Sequence, residues 1–133
     1  ELEGLATRLA AENLQNTDFE MLREILDKSI ASFSNKDYSG FEKCNLDFHM
    51  RLYEKSDNPR LVKIIESLWK NTKRYPSLFD QNDHFVRQSI EEHEQIYSAL
   101  LEKNGLLAEE LMRRHKERAG KEVIKLIEQK LRP

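Results

Sequence analysis

The sequence predicts an all-α fold, an antiparallel bundle of about six helices. Apolar residues recur with helical period almost from end to end. Only 3 prolines and 4 glycines interrupt 133 residues, and 35% of the chain is charged, which suits long amphipathic helices with solvated outer faces. No alternation of apolar and polar residues marks a strand.

Taken in order, Leu2, Leu5 and Leu9, with Ala6 and Ala10, make the first stripe. Thr17 or Asp18 is expected to cap a second helix lined by Phe19, Leu22, Leu26 and Phe33, with Ile25 and Ile30 in support. The run Ser34-Asn35-Lys36-Asp37 reads as a turn, and Asp37 or Ser39 as the cap of a third helix ending near Ser56. The run Ser56-Asp57-Asn58-Pro59 breaks the pattern, and Pro59 suits the first turn of a fourth helix. That helix carries Leu61, Ile64, Ile65, Leu68 and Trp69, and Tyr75-Pro76-Ser77 is expected to end it. Leu78 to His84 has the weakest pattern and reads as a loop, with His84 facing water. A fifth helix is expected from Phe85 to Leu101, stopped by Asn104-Gly105, and a sixth from Leu107 to Leu131. Short connections imply antiparallel neighbours.

The length fits one domain, residues 1–133, with room for a real core. A formal charge of −2 leaves no electrostatic footprint for nucleic acid on this chain. Cys44 is the single cysteine, so an internal disulfide framework and a cysteine-rich zinc site are excluded. It reads as a small apolar group and not as a ligand. No apolar run is long enough to span a bilayer, and no signal peptide is visible. A reducing cytoplasm is the expected compartment. The chain opens at Glu1 directly into a helical pattern, so a further N-terminal portion is expected before it.

Polar residues break the apolar stripes at four core-facing places. The third helix presents Phe41, Asn45, Phe48, His49 and Leu52 on one face. The fifth presents Val86, Ser89, Ile90, His93, Ile96, Tyr97 and Leu100, and the sixth Ala108, Leu111, Met112, His115 and Ala119. A lone histidine in such a place is ordinarily a hydrogen-bonded core residue. Three on separate helices would each need polar partners, and one divalent metal such as Zn, Ni or Co satisfies all of them together.

The same positions carry a family resemblance. The run from Asn45 through Phe48-His49 to Ser56-Asp57-Asn58-Pro59-Arg60-Leu61 resembles the signature of the FCD domain. This is the C-terminal domain of the FadR subfamily of GntR-type regulators. Ser89-Ile90-Glu91-Glu92-His93-Glu94-Gln95-Ile96 and Ala108 to Met112-Arg113-Arg114-His115 are similar to its later motifs, and the likeness covers essentially the whole chain. The resemblance implies a helical bundle that follows a winged helix-turn-helix reading head, usually as a homodimer. It implies a divalent transition metal, Zn or Ni, held by Asn45, His49, His93 and His115, beside a small carboxylate effector. Many members have Asp where this chain has Asn45, and the neutral amide lowers the charge of the ligand set. Ser89, Arg74, Arg87 and Tyr75 are the side chains expected to hold the effector's oxygens. DNA would be touched only through the N-terminal reading head, and no membrane is involved.

Two other classes stay open at this level. A three-histidine metal could activate water in a hydrolase. Yet Glu92 and Glu94 fall off the inward stripe of His93 and read as a solvated face with Arg and Lys partners, and neither His93 nor His115 has Glu three residues earlier. The HExxH motif is also missing. A helical interaction module without any ligand is the third reading.

Overall fold

The computed structural model describes residues 1–72 and 77–131. They form six helices: α1 (Leu2–Ala11), α2 (Asn16–Ser34), α3 (Tyr38–Glu54), α4 (Pro59–Thr72), α5 (Asp83–Leu101) and α6 (Gly105–Leu131). The described residues contain no strand. The pairs α2–α3 and α5–α6 pack together across connections of three residues each, 35–37 and 102–104, so each pair is an antiparallel hairpin. α1 lies against α6, α3 and α4, and α2 also meets α5.

The core is drawn from the stripes read in the sequence. Leu22 and Leu26 of α2, Phe48 and Leu52 of α3, Ile96 and Leu100 of α5, and Met112 of α6 are buried together. Small residues bring α1 and α6 close, because Ala6, Ala10 and Ala108 are all fully buried at their contact. Gly4 marks the tightest point. A Cβ there would stand 2.5 Å from Arg113 Cγ and 3.2 Å from the Glu109 carbonyl oxygen.

The starts of α3, α4, α5 and α6 follow side-chain caps, and the helix ends depart from expectation in three places. Asp37 caps α3, accepting from Gly40 N at 2.9 Å, and Asn58 accepts from Leu61 N at 3.2 Å ahead of Pro59. α2 is not capped by Thr17 or Asp18: it begins at Asn16, and Asp18 reaches back one turn to accept from Gln15 N at 2.9 Å. α5 begins earlier than expected, because Asn82 caps it by accepting from Phe85 N at 3.2 Å, which places Asp83 and His84 inside its first turn. His84 does face water. Asn104 does help to stop α5, its N–H donating back to the Ala99 carbonyl at 2.9 Å, but the left-handed residue is not Gly105. Lys103 takes the left-handed position at φ 57°, and Asn104 caps α6 through Leu107 N at 3.1 Å, so Gly105 opens that helix. The stop expected at Tyr75-Pro76-Ser77 rests on Tyr75 and Pro76, outside the described residues.

None of the described helices is long and apolar enough to cross a membrane.

Candidate metal and effector site

The inward stripes of α3, α5 and α6 converge on three imidazoles. His49, His93 and His115 each offer a ligand atom within 4.8 Å of the others, and all three are buried. The His49 and His115 rings stack at 5.3 Å, and His93 stands edge-on to both, at 5.2 and 4.8 Å. Asn45, one turn before His49, is 7% exposed on the same face of α3.

The hydrogen bonds divide the ring nitrogens into used and unused. The His49 Nδ1 lies 2.9 Å from the Tyr53 hydroxyl, which in turn donates to Glu3 Oε1 at 2.7 Å. A phenol has one proton, so when it goes to the carboxylate, His49 Nδ1 is the donor and Nε2 keeps a free lone pair. His115 Nδ1 donates to Glu92 Oε1 at 2.6 Å, which frees the other nitrogen of that ring in the same way. Asn45 Oδ1, His49 Nε2 and both nitrogens of His93 are buried without any hydrogen-bond partner. Leaving a buried polar atom unpaired costs about 1–3 kcal/mol, so a cluster of them marks a place built to be filled. The donor set fits a divalent transition metal: neutral imidazole nitrogens and one amide oxygen, with Tyr53 and Glu92 already holding the far nitrogens of His49 and His115.

Electrostatics agree with that chemistry. Burial pushes His49 and His93 well below the usual histidine range, and nearby cationic groups, Lys116 among them, push the same way. His115 is also lowered by burial, although Glu92 pulls against it. All three shifts favour the neutral form of the ring, the form a metal ligand must have. Tyr53 is fully buried, and burial together with Glu3 raises its hydroxyl well above the ordinary value, so it keeps its proton.

The residues expected to hold an effector fall in different places. Ser89 is buried one turn before His93, and its Oγ accepts from Arg118 Nη2 at 3.1 Å. Arg87 is exposed, over the Phe33 ring at 5.5 Å, on another face of α5. Arg74 and Tyr75 lie outside the described residues. Cys44 is half-buried, with its thiol raised by burial, and is not part of the histidine cluster.

Sequence reading missed four side chains around the imidazoles. Glu92 has the arginine partner expected of it, accepting from Arg118 Nη2 at 2.7 Å, but it is turned inward and also holds His115. Arg118 further donates to Gln88 at 3.1 Å and lies over the Phe85 ring at 4.5 Å. Tyr53 and Glu3 complete the set. Only Tyr53 had a readable signal, its spacing of four from His49 on one helix. Glu94, by contrast, is the expected surface partner of an arginine, paired with Arg23 at 2.6 Å.

A helical bundle that buries a polar cluster between three helices is the kind of place in which such folds build ligand and metal sites. The FCD domain family matches residues 1–118, and this chain belongs to it. FCD domains are the effector-binding domains of GntR-type transcription regulators, not enzymes. The HTH-type transcriptional regulator McbR of Escherichia coli is 32% identical over 101 residues, 76% of this chain and 45% of that protein. The Uxu operon regulator of Haemophilus influenzae is 33% identical over 124 residues, 87% of this chain and 45% of that protein. The chain thus spans about half the length of these curated relatives. In fold it is similar to the solved structure of E. coli McbR/YncC, with a TM-score of 0.82 at 24% identity, covering 96% of this chain and 63% of that one.

Proposed function

We propose that this chain is the sensing domain of a transcription regulator that binds a small carboxylate effector at a divalent metal, Zn or Ni, inside the bundle. Asn45, His49, His93 and His115 would hold the metal. The observation that carries this reading is the convergence of unpartnered buried atoms, Asn45 Oδ1, His49 Nε2 and the His93 nitrogens, beside a third imidazole. A bound divalent cation supplies a positive centre with open positions for an acid's oxygens.

The chain's own residues would do the rest. Three neutral imidazoles and an amide bring no negative charge, so an effector anion is the natural counter-charge. Ser89 and the Arg118 that donates to it would receive the acid's remaining oxygens. Arg87 would first have to leave Phe33. The relatives' names support control of transcription. In the wider proposal DNA would be read by a winged helix-turn-helix domain preceding this one, in a cytoplasmic homodimer. The ligand-free interaction module is disfavoured by the cost of the unfilled polar cluster.

Elemental analysis of purified wild type beside His93→Ala tests the reading. About one equivalent of a transition metal per chain in wild type, lost in the variant, is the expected result. A wild type that stays metal-free when Zn or Ni is offered would sink it.

A further inference from the structure

The polar side chains behind His49 form a connected path to the first turn of the chain. Glu3, the second residue of α1, lies where four helices meet. Its Oε1 accepts from the Tyr53 hydroxyl of α3 at 2.7 Å and from Trp69 Nε1 of α4 at 3.0 Å. Its Oε2 faces Lys116 Nζ of α6 at 3.5 Å, and that ammonium also lies 4.3 Å above the Trp69 ring. Trp69 in turn stands 5.3 Å from the His49 ring, centroid to centroid. The direction of these bonds is forced. The carboxylate has no proton to give, so Tyr53 donates to it, and the phenol oxygen is left to accept from His49 Nδ1 at 2.9 Å. Met112 Sδ, 3.5 Å from the hydroxyl, is a far weaker acceptor and does not compete.

We infer that Glu3 and Tyr53 are positioning residues of the histidine site. They hold His49 in the tautomer whose Nε2 lone pair is free, and so make metal loading and the seating of α1 depend on each other. This rests on the metal reading above. The reciprocity is thermodynamic. If Glu3 in place favours the ligand form of His49, then a metal on His49 favours Glu3 in place by the same factor. The His115–Glu92 pair gives the second imidazole a comparable hold, but entirely within the α5–α6 hairpin. Among the described residues, only the His49 path leads from an imidazole to α1. Occupancy of the interior site is thereby felt at the first turn of the first helix, the point at which any preceding domain would join.

The test is a Ni²⁺ titration against a competing chelator for wild type, Tyr53→Phe and Glu3→Gln. It is paired with nitrogen NMR of the His49 ring in the metal-free proteins and with amide exchange of α1. Tyr53→Phe removes one oxygen and leaves the packing. The expected result is a 10–100-fold loss of Ni²⁺ affinity in Tyr53→Phe. Glu3→Gln, which keeps an acceptor oxygen, should lose less. His49 should carry its proton on Nδ1 in wild type and on a mixture of nitrogens in Tyr53→Phe. Ni²⁺ should slow amide exchange in α1 of wild type and do so much less in Tyr53→Phe. Wild-type affinity and an unchanged tautomer in Tyr53→Phe would overturn the relay while leaving the metal site intact. Exchange in α1 that ignores Ni²⁺ in wild type would overturn the coupling. A wild type that binds no Ni²⁺ or Zn²⁺ would overturn the metal reading and this inference together.

Discussion

Asn45 is where this chain departs from the ligand set that most of its family resemblance implies, and its burial makes the departure consequential. Its Oδ1 has no partner, so the oxygen is available but uncharged. Asn45→Asp should tighten Zn²⁺ or Ni²⁺ binding by about tenfold or more, because a charged oxygen replaces a neutral one at the same spacing. Competition titration of the two proteins measures it, and equal affinities would remove Asn45 from the ligand set. Asp18 offers a separate test of charge at a helix start. Burial raises its carboxyl, but the Gln15 backbone amide and Lys55 outweigh that, and its pKa falls below the ordinary 3.8. A depressed carboxyl contributes stability that is present above the unfolded value and lost as pH falls through the folded one. Asp18→Ala should therefore cost about 1 kcal/mol in urea unfolding at pH 7. That gap should close below pH 3.8. At this scale the legible part of the site was its set of polar residues on inward stripes. Glu3, Glu92 and Arg118 were not legible, because each acts across a helix boundary that no spacing along the chain encodes.

At the level of helices, the approach of α1 to α6 depends on an absent side chain. Alanine is the better helix former, by about 1 kcal/mol over glycine. Gly4→Ala should nonetheless destabilise, by about 1 kcal/mol net, because a new Cβ 2.5 Å from Arg113 Cγ forces the helices apart. Thermal unfolding of the variant checks the sign, and a stabilised Gly4→Ala would show that the contact yields easily. Helix existence and order were legible throughout, since six long periodic stripes admit little else. Helix ends were less so. Asn104-Gly105 carries the residue types of a C-terminal stop, yet Lys103 adopts the left-handed conformation, and Asn104 serves both helices, its N–H closing α5 on Ala99 and its side chain capping α6. Asp18 likewise has the chemistry of a cap but serves from three residues inside the start. In both cases neighbouring residues can fill the same role, and only the angle at which two helices pack selects between them.

For the molecule as a whole, an ion bound between α3, α5 and α6 would tie helices from both halves of the chain. At an ion concentration of 100 times Kd the folded state gains about 2.7 kcal/mol, worth a rise in melting temperature on the order of 10 °C for a domain of this size. A strong chelator should reverse that rise, and His93→Ala should show none of it. A melting temperature indifferent to both metal and chelator would speak against a site that bridges the helices. The amino-acid order was enough to specify six amphipathic helices and the inward faces of Asn45, His49, Ser89, His93 and His115, because a 3.6-residue period maps position to face within one helix. It also held the motifs of the FCD family. Which faces meet, and what lies behind each imidazole, was settled only by packing. Hydrogen bonds such as Tyr53 to Glu3 and His115 to Glu92 join residues 50 and 23 positions apart. Distances of that kind depend on how whole helices cross, which the core volume decides and no local pattern records.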